Sequence, residues 1–144
     1  SRTPLFPSLL ALTIAAAGCS RSWEPSAAAV TANTAATDGL AALEKKDWKT
    51  AEELLTTAIN AGVLSGDQYE AILLGRARAR IELGEYASAA DDLLPLEFEA
   101  AALDQVLMLK CELALRQKNL IVAQHAYEQA KKINPKLPKP DGLK

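Results

Sequence analysis

Histidine, cysteine and strand-forming patterns are scarce in this sequence, and each scarcity excludes a class of function or fold. The 144 residues include one histidine and two cysteines. With His125 as the only histidine and no glycine-rich phosphate loop, no catalytic triad can be assembled. No stretch alternates β-branched or aromatic residues with polar ones, whereas Ala, Leu, Glu, Lys and Gln dominate. We therefore expect an all-α protein without catalytic residues, metal site or cofactor.

The chain also lacks an apolar run long enough to cross a bilayer. The run from Leu5 to Ala17 has 13 residues and contains Pro7, whereas a helical span takes roughly 20. It has no polar face, which argues against a helix of the folded domain. Arg2, an apolar centre and then small residues follow the order of a secretory signal peptide. We expect residues 1–18 to be removed as such a peptide.

The end of this run carries a more specific pattern, Ala16, Ala17, Gly18 and Cys19. It resembles the lipobox of bacterial lipoproteins, in which the cysteine becomes the lipidated first residue, although Ala16 stands where the family more often has Leu. A thiolate is the nucleophile that accepts the diacylglyceryl group. The resemblance implies a lipid anchor on Cys19, and Ser20, which is not Asp, implies transport to the outer membrane, facing the periplasm. The alternative is an ordinary signal peptide with an unrelated cysteine beside its cleavage site.

What remains after the signal fits one domain held by packing. From Cys19 onward 126 residues remain, enough to bury roughly two-thirds of the unfolded surface. Once Cys19 is acylated, Cys111 is the only thiol left, so no internal disulfide can form. The net charge is −7 on residues 19–130 and +4 on residues 131–144. This acidic balance disfavours nucleic acid as a partner.

The chain divides into a tether, a helical domain and a tail. Residues 19–32 carry the lipidated cysteine and a Ser-, Ala- and Thr-rich tether whose r.m.s. reach is roughly 20 Å, although Ala27 to Ala36 could instead join the first helix. We predict a helical domain over residues 33–134 and a Pro- and Lys-rich tail over residues 135–144. The expected helices lie near 33–45, 48–61, 67–83, 86–94, 98–117 and 120–133. Asp67 and Glu70 form a capping pair for the third of these, Gly84 ends it, and Pro95 stops the fourth near Leu94.

Three segments of the helical domain repeat one another. They are KKDWKTAEELLTTAI (45–59), LGEYASAADDLLPLE (83–97) and QKNLIVAQHAYEQAK (117–131). Each has an aromatic residue or Leu (Trp48, Tyr86, Leu120), a small residue three positions later (Ala51, Ala89, Ala123) and a bulkier one after four more (Leu55, Leu93, Tyr127). The small residues are 38 and 34 positions apart. A period near 34 indicates a helical repeat.

This pattern resembles the tetratricopeptide repeat, a pair of antiparallel helices with small residues where the helices approach closely. The third copy matches best, through Ala130 and the closing Asn134-Pro135, and the second departs most, at Pro95. The resemblance covers residues 32–135. It implies a right-handed superhelical stack of about three helix pairs, an α-solenoid, whose first helices line a concave groove. By register the groove residues are Asn33, Leu40, Glu44, Arg78, Glu82, Gln105, Met108, Glu112 and Arg116.

Several other residues have both a functional and a structural interpretation. His125 is a metal ligand or general base, or a helix-surface residue. Cys111 is a redox sensor or a buried structural thiol. Asp91 and Asp92 lack the further oxygen ligands of a calcium loop, so a solvated helix end is favoured. The run RARAR (76–80) is an anionic-ligand patch or, as we prefer, a salt-bridged helix face.

The function these patterns favour is a lipid-anchored adaptor that holds an envelope protein or peptide in its groove. A pilotin-like or outer-membrane assembly-factor lipoprotein is the alternative, an envelope hydrolase is a remote one, and the groove could also go unused. Three prolines in residues 134–144 prevent a seventh helix, so something else must cover the last helix pair. The tail with Leu137 and Leu143, a second copy in a homodimer, or the partner could do so, and we favour the last two.

Overall fold

The computed structural model describes residues 24–143, so Cys19 and the predicted signal peptide lie outside the described residues. Within this range the chain is all helical and has no strand, as predicted. Six helices have eight residues or more, and α5 is a single turn. Their bounds are α1 Ala27–Glu44, α2 Trp48–Asn60, α3 Gly66–Leu83, α4 Tyr86–Leu93, α5 Leu96–Glu99, α6 Leu103–Arg116 and α7 Leu120–Ile133. No helix of this range is long and apolar enough to cross a membrane.

Helices that are adjacent in sequence pack against each other. The pairs are α1 with α2, α3 with α4, and α6 with α7. The pairs are joined because α2 packs on α3 and α4 on α6, while α3 also contacts both α1 and α6. The largest buried cluster lies among α3, α4, α5 and α6, and smaller clusters fill the first and last pairs. Each helix therefore covers its apolar stripe with its neighbours.

The turn inside each helix pair has the same backbone geometry. Lys46, Gly84 and Lys118 each precede the second helix by two residues, and each has a positive φ, of 59°, 81° and 60°. The next residue closes the turn with a backbone hydrogen bond to the carbonyl five positions back, for example Glu85 N–H to Arg80 at 2.8 Å. Left-handed residues of this kind commonly end helices. The sequence repeat is thus a repeat of backbone structure, and α2, α4 and α7 begin where predicted.

Small residues occupy the closest helix contacts, as the repeat pattern predicts. Ala51, Ala89 and Ala123 are all fully buried. Gly39 of α1 is closer still, because a Cβ atom there would lie 2.7 Å from Cδ2 of the buried Leu55 on α2. Large side chains at these sites would separate the helices.

The first helix begins six residues before the predicted start at residue 33. Ser26 caps it by accepting a hydrogen bond from the N–H of Ala29 at 3.2 Å. Alanine is the best helix former, so the alanines after Ser26 extend α1 into the stretch assigned to the tether. This is the alternative that the sequence left open, and it shortens the predicted tether to residues 19–26.

The predicted capping pair of α3 is wrong. A capping box of Ser65 and Gln68 starts this helix instead. Glu70 caps a different helix, because its carboxylate accepts hydrogen bonds from the N–H groups of Ala101 at 3.0 Å and Ala102 at 2.9 Å, at the start of α6.

The helix predicted over 98–117 is also divided. A single turn, α5, ends at Glu99, Ala100 is extended with ψ of 134°, and α6 begins at Leu103. The helix α4 ends at Leu93, close to the predicted stop before Pro95. The end of α4 follows from Pro95, which is a local feature of the sequence. The start of α6 follows from the contact with Glu70, which is distant in sequence.

Candidate functional site

A groove of about 990 Å³ lies between α3, α6 and the C-terminal tail. Its floor and walls combine aliphatic side chains with charged ones, as in sites that bind extended chains. The lining residues are Leu74, Arg78, Gln105, Met108, Leu109, Glu112, Leu115, Arg116, Lys118, Leu120, Leu137, Pro138, Pro140, Asp141 and Gly142.

Five of the nine residues predicted from the repeat register line this groove: Arg78, Gln105, Met108, Glu112 and Arg116. Glu82 borders it through an ion pair with Arg116 at 3.1 Å. The three residues predicted from α1, namely Asn33, Leu40 and Glu44, are exposed but are not part of its lining. Asn33 is engaged elsewhere, since its Oδ1 accepts a hydrogen bond from Gln68 Nε2 at 3.2 Å.

The charged groups of the groove form an alternating row. Glu112 lies 3.7 Å from Arg78 and 3.6 Å from Arg116, and Arg116 reaches on to Glu82. All four side chains are partly exposed. Exposed ion pairs of this kind contribute about 0–1 kcal/mol each. An incoming peptide can therefore exchange its own charges for these pairs at small cost.

Sequence reasoning missed the leucines of α3 and α6 that line the groove, and it gave the tail only as one of three possible covers of the last helix pair, not the favoured one. Leu74 precedes Arg78 by one helical turn, and Leu115 follows Glu112 by three residues, so helical spacing could have identified both. No local pattern indicates that Leu137, Pro138 and Pro140 return to the groove. That placement depends on where the chain leaves α7.

The RARAR run forms a salt-bridged helix face. Of its two interpretations from sequence, this is the one that we prefer to an anionic-ligand patch. Arg76 donates to both oxygens of Asp92, at 2.6 and 3.0 Å, and Arg80 donates to Asp92 at 2.9 Å and to Glu52 at 2.8 Å. The expectation of a solvated helix end is wrong for Asp92, which is only 4% exposed. A carboxylate is buried only when it is paired, and here two arginines hold it between α3 and α4.

Cys111 does not line the groove, and His125 lies beside Leu120 and Ile121 on the surface at the start of α7. Cys111 is buried, in agreement with the structural interpretation, and burial, reinforced by the charge of Glu112, raises the pKa of its thiol. His125 is exposed on α7. Within residues 24–143, no group of three or more His, Cys, Asp or Glu side chains is arranged to hold a metal ion.

The last helix pair is partly covered by the tail. Leu143 packs against a cluster of Cys111, Ala114, Ala123, Ala126 and Tyr127, in the cleft between α6 and α7. Beside it, Leu120 is 54% and Ile121 is 84% exposed. A dimer or partner covering the rest of this face stays a prediction.

The groove and the surface at the start of α7 are two concave surfaces of the described chain that combine apolar and polar side chains; the second is lined by Leu120, Ile121, Gln124, His125, Glu128 and Leu143. Such surfaces suit recognition of an extended segment. In comparisons with known proteins, no family model, curated protein or solved structure matches this chain.

Proposed function

We propose that this protein is a lipid-anchored adaptor of the bacterial cell envelope, most simply at the outer membrane, that binds an extended segment of a protein partner in the groove between α3 and α6. The observation that supports it best is that side chains 27–38 positions apart in sequence, on α3 and α6, line one groove. Five of these residues, Arg78, Gln105, Met108, Glu112 and Arg116, were predicted from the repeat register alone. Its mixed lining of aliphatic and exchangeable charged groups suits a peptide.

We further propose that the helix pairs continue as a right-handed α-solenoid of the tetratricopeptide type. The equal turns at Lys46, Gly84 and Lys118 support this, because identical turns at intervals of 38 and 34 residues set similar angles between successive helices. The contacts of α3 with both α1 and α6 support it too, since first helices stack on one another in such folds. A crystal structure gives the superhelical sense directly.

The anchor is tested by Cys19→Ser in the native bacterium. We expect the wild type to incorporate a fatty-acid probe and the variant to remain an uncleaved, unlabelled precursor, because only the thiolate accepts the lipid. Cys111→Ser is the matched control and should be labelled like the wild type. Equal labelling of Cys19→Ser and wild type would refute the anchor.

The groove is tested by a photoreactive amino acid at Gln105, which is exposed and lines the groove, and at Glu53, an exposed residue of α2 outside it. We expect irradiated cells to give a discrete crosslinked protein from position 105 and not from position 53, identifiable by mass spectrometry. The same products from both positions, or none from position 105, would contradict a partner in the groove.

A further inference from the structure

The tail follows α6 from its beginning to its end. Asn134, just after α7, donates from Nδ2 to Asp104 Oδ2 at 3.0 Å, near the start of α6. At the other end of the tail, a Cβ atom on Gly142 would lie 3.6 Å from Cδ2 of Leu115. Residues 134–143 therefore lie along this helix, where a repeat stack would place its next helix.

Beyond the hydrogen bond from Asn134 to Asp104, apolar side chains hold this segment in place. Leu143 packs on the cluster between α6 and α7, and Leu137 lines the groove. In the described chain, the hydrogen bonds of residues 135–143 are made among themselves or with Asn134. Prolines at three of these positions lack an N–H donor, so the segment, which has a turn near each end, needs no hydrogen-bonding partner strand or helix.

The tail covers only part of the surface of α6, and it forms one wall of the groove rather than filling it. The surface around Leu143 includes Leu120 and Ile121, which remain more than half exposed. On the other side the groove extends past the tail to Arg78 on α3. A longer segment of the same chemistry would contact all of this surface, including parts that the tail does not reach.

We propose that the tail is an intramolecular occupant of the partner site, and that the partner supplies an extended segment with leucines separated by prolines, in the pattern of Leu137 and Leu143, which displaces it. This inference rests on the proposed adaptor function and names the chemistry of the partner. A tethered competitor acts at an effective concentration near millimolar, so the tail raises the affinity that a partner segment needs in order to bind. The site then rejects weakly matching peptides.

The test measures binding of a fluorescent synthetic peptide, NPKLPKPDGLK, to the full chain by fluorescence anisotropy up to millimolar protein. We expect Leu137→Ala/Leu143→Ala to bind the peptide at least 10-fold more tightly than the wild type, because the competing side chains are gone. Lys136→Ala/Lys139→Ala, which truncates two exposed residues of the same segment, is the control and should stay within 2-fold of the wild type.

A second variant locates the bound peptide. The double variant Leu137→Ala/Leu143→Ala is called the leucine-truncated chain. Adding Leu120→Asp to it should weaken peptide binding at least 10-fold, because Leu120 lines both concave surfaces. Leu120 is largely exposed at the first position of α7, where a carboxylate is favourable, so an unchanged thermal melt is expected. Equal affinity for wild-type and leucine-truncated chains, no binding to the latter, or binding that survives Leu120→Asp would overturn the inference.

The two proposals fail separately. If position 105 still crosslinks to a partner while the leucine-truncated chain does not bind the peptide, the adaptor function stands and the tail is not a competitor. If the peptide binds as expected while position 105 gives no crosslink, the surface under the tail does bind peptides of this chemistry, and the adaptor function fails.

Discussion

Asp92 is the residue whose environment differs most from what its neighbourhood in sequence indicates. Asp91 and Asp92 are adjacent, yet Asp91 is exposed whereas Asp92 is buried between Arg76 and Arg80. Helical rotation alone separates the two side chains by about 100°. Only the packing of α4 on α3 decides which of them meets the arginines.

We predict that Asp92→Asn lowers the free energy of unfolding by about 3 kcal/mol, near the lower end for removing one partner of a buried pair, because Arg76 loses the carboxylate it pairs with while Arg80 keeps Glu52. Urea unfolding followed by circular dichroism measures the change. Asp91→Asn is the matched control and should change stability by about 0.5 kcal/mol or less. Similar effects of the two substitutions would show that the network contributes no more than surface charge does.

Cys111 is predicted to react slowly. Burial raises the pKa of its thiol, and the thiolate is the reactive form. In a Cys19→Ser background, alkylation at pH 8 should be at least 10-fold slower for the folded chain than for the chain unfolded in urea. Equal rates would mean that the α6–α7 cluster opens readily.

The same shift gives a pH dependence. The unfolded chain loses the thiol proton at a lower pH than the folded chain does, so the free energy of unfolding falls as pH rises through the usual thiol range and above it. The free energy of unfolding of Cys111→Ala does not fall for this reason, because the variant has no thiol at this position. The stability difference between wild type and Cys111→Ala, measured by urea unfolding, should therefore shrink between pH 7 and pH 10.

At the scale of helices, the close contacts between neighbouring helices are made by small residues. Ala51→Leu and Ala123→Leu should each destabilise the protein by roughly 1–3 kcal/mol, because both positions are fully buried and additional methyl groups have no space. Thermal denaturation measures this. Ala87→Leu, at an exposed position of α4, is the control and should be nearly neutral. Unchanged melting of both buried variants would invalidate the repeat register.

Helix starts show which elements the sequence predicts well. The starts of α2, α4 and α7 were predicted correctly, because an aromatic residue or Leu after a turn recurs in each repeat. The start of α6 was missed because its cap, Glu70, is about 30 residues away. Lys46 and Lys118 were not recognised as left-handed residues either, since lysine has no preference for that conformation.

For the whole molecule, the tail determines how much of the apolar cleft between α6 and α7 is exposed. Removing residues 136–144 from a soluble form that starts at residue 20 should expose the cleft between α6 and α7 and promote self-association, because Leu143 no longer covers its cluster. Light scattering should give a larger mass for the truncated chain than for the intact one. If the truncated chain stays monomeric and equally stable, the tail does not cap the last helix pair.

Local patterns in the amino-acid sequence are enough to predict the all-helical class, the position of most helices and the residues at close helix contacts, because helix propensity and the spacing of small residues are local properties. They also indicate most of the α3 and α6 residues that line the groove. Tertiary structure alone decided that Asp92 is buried, that Glu70 caps α6 and that the tail returns along α6. Each of these depends on contacts between residues far apart in sequence, whose energies exist only after the helices have packed.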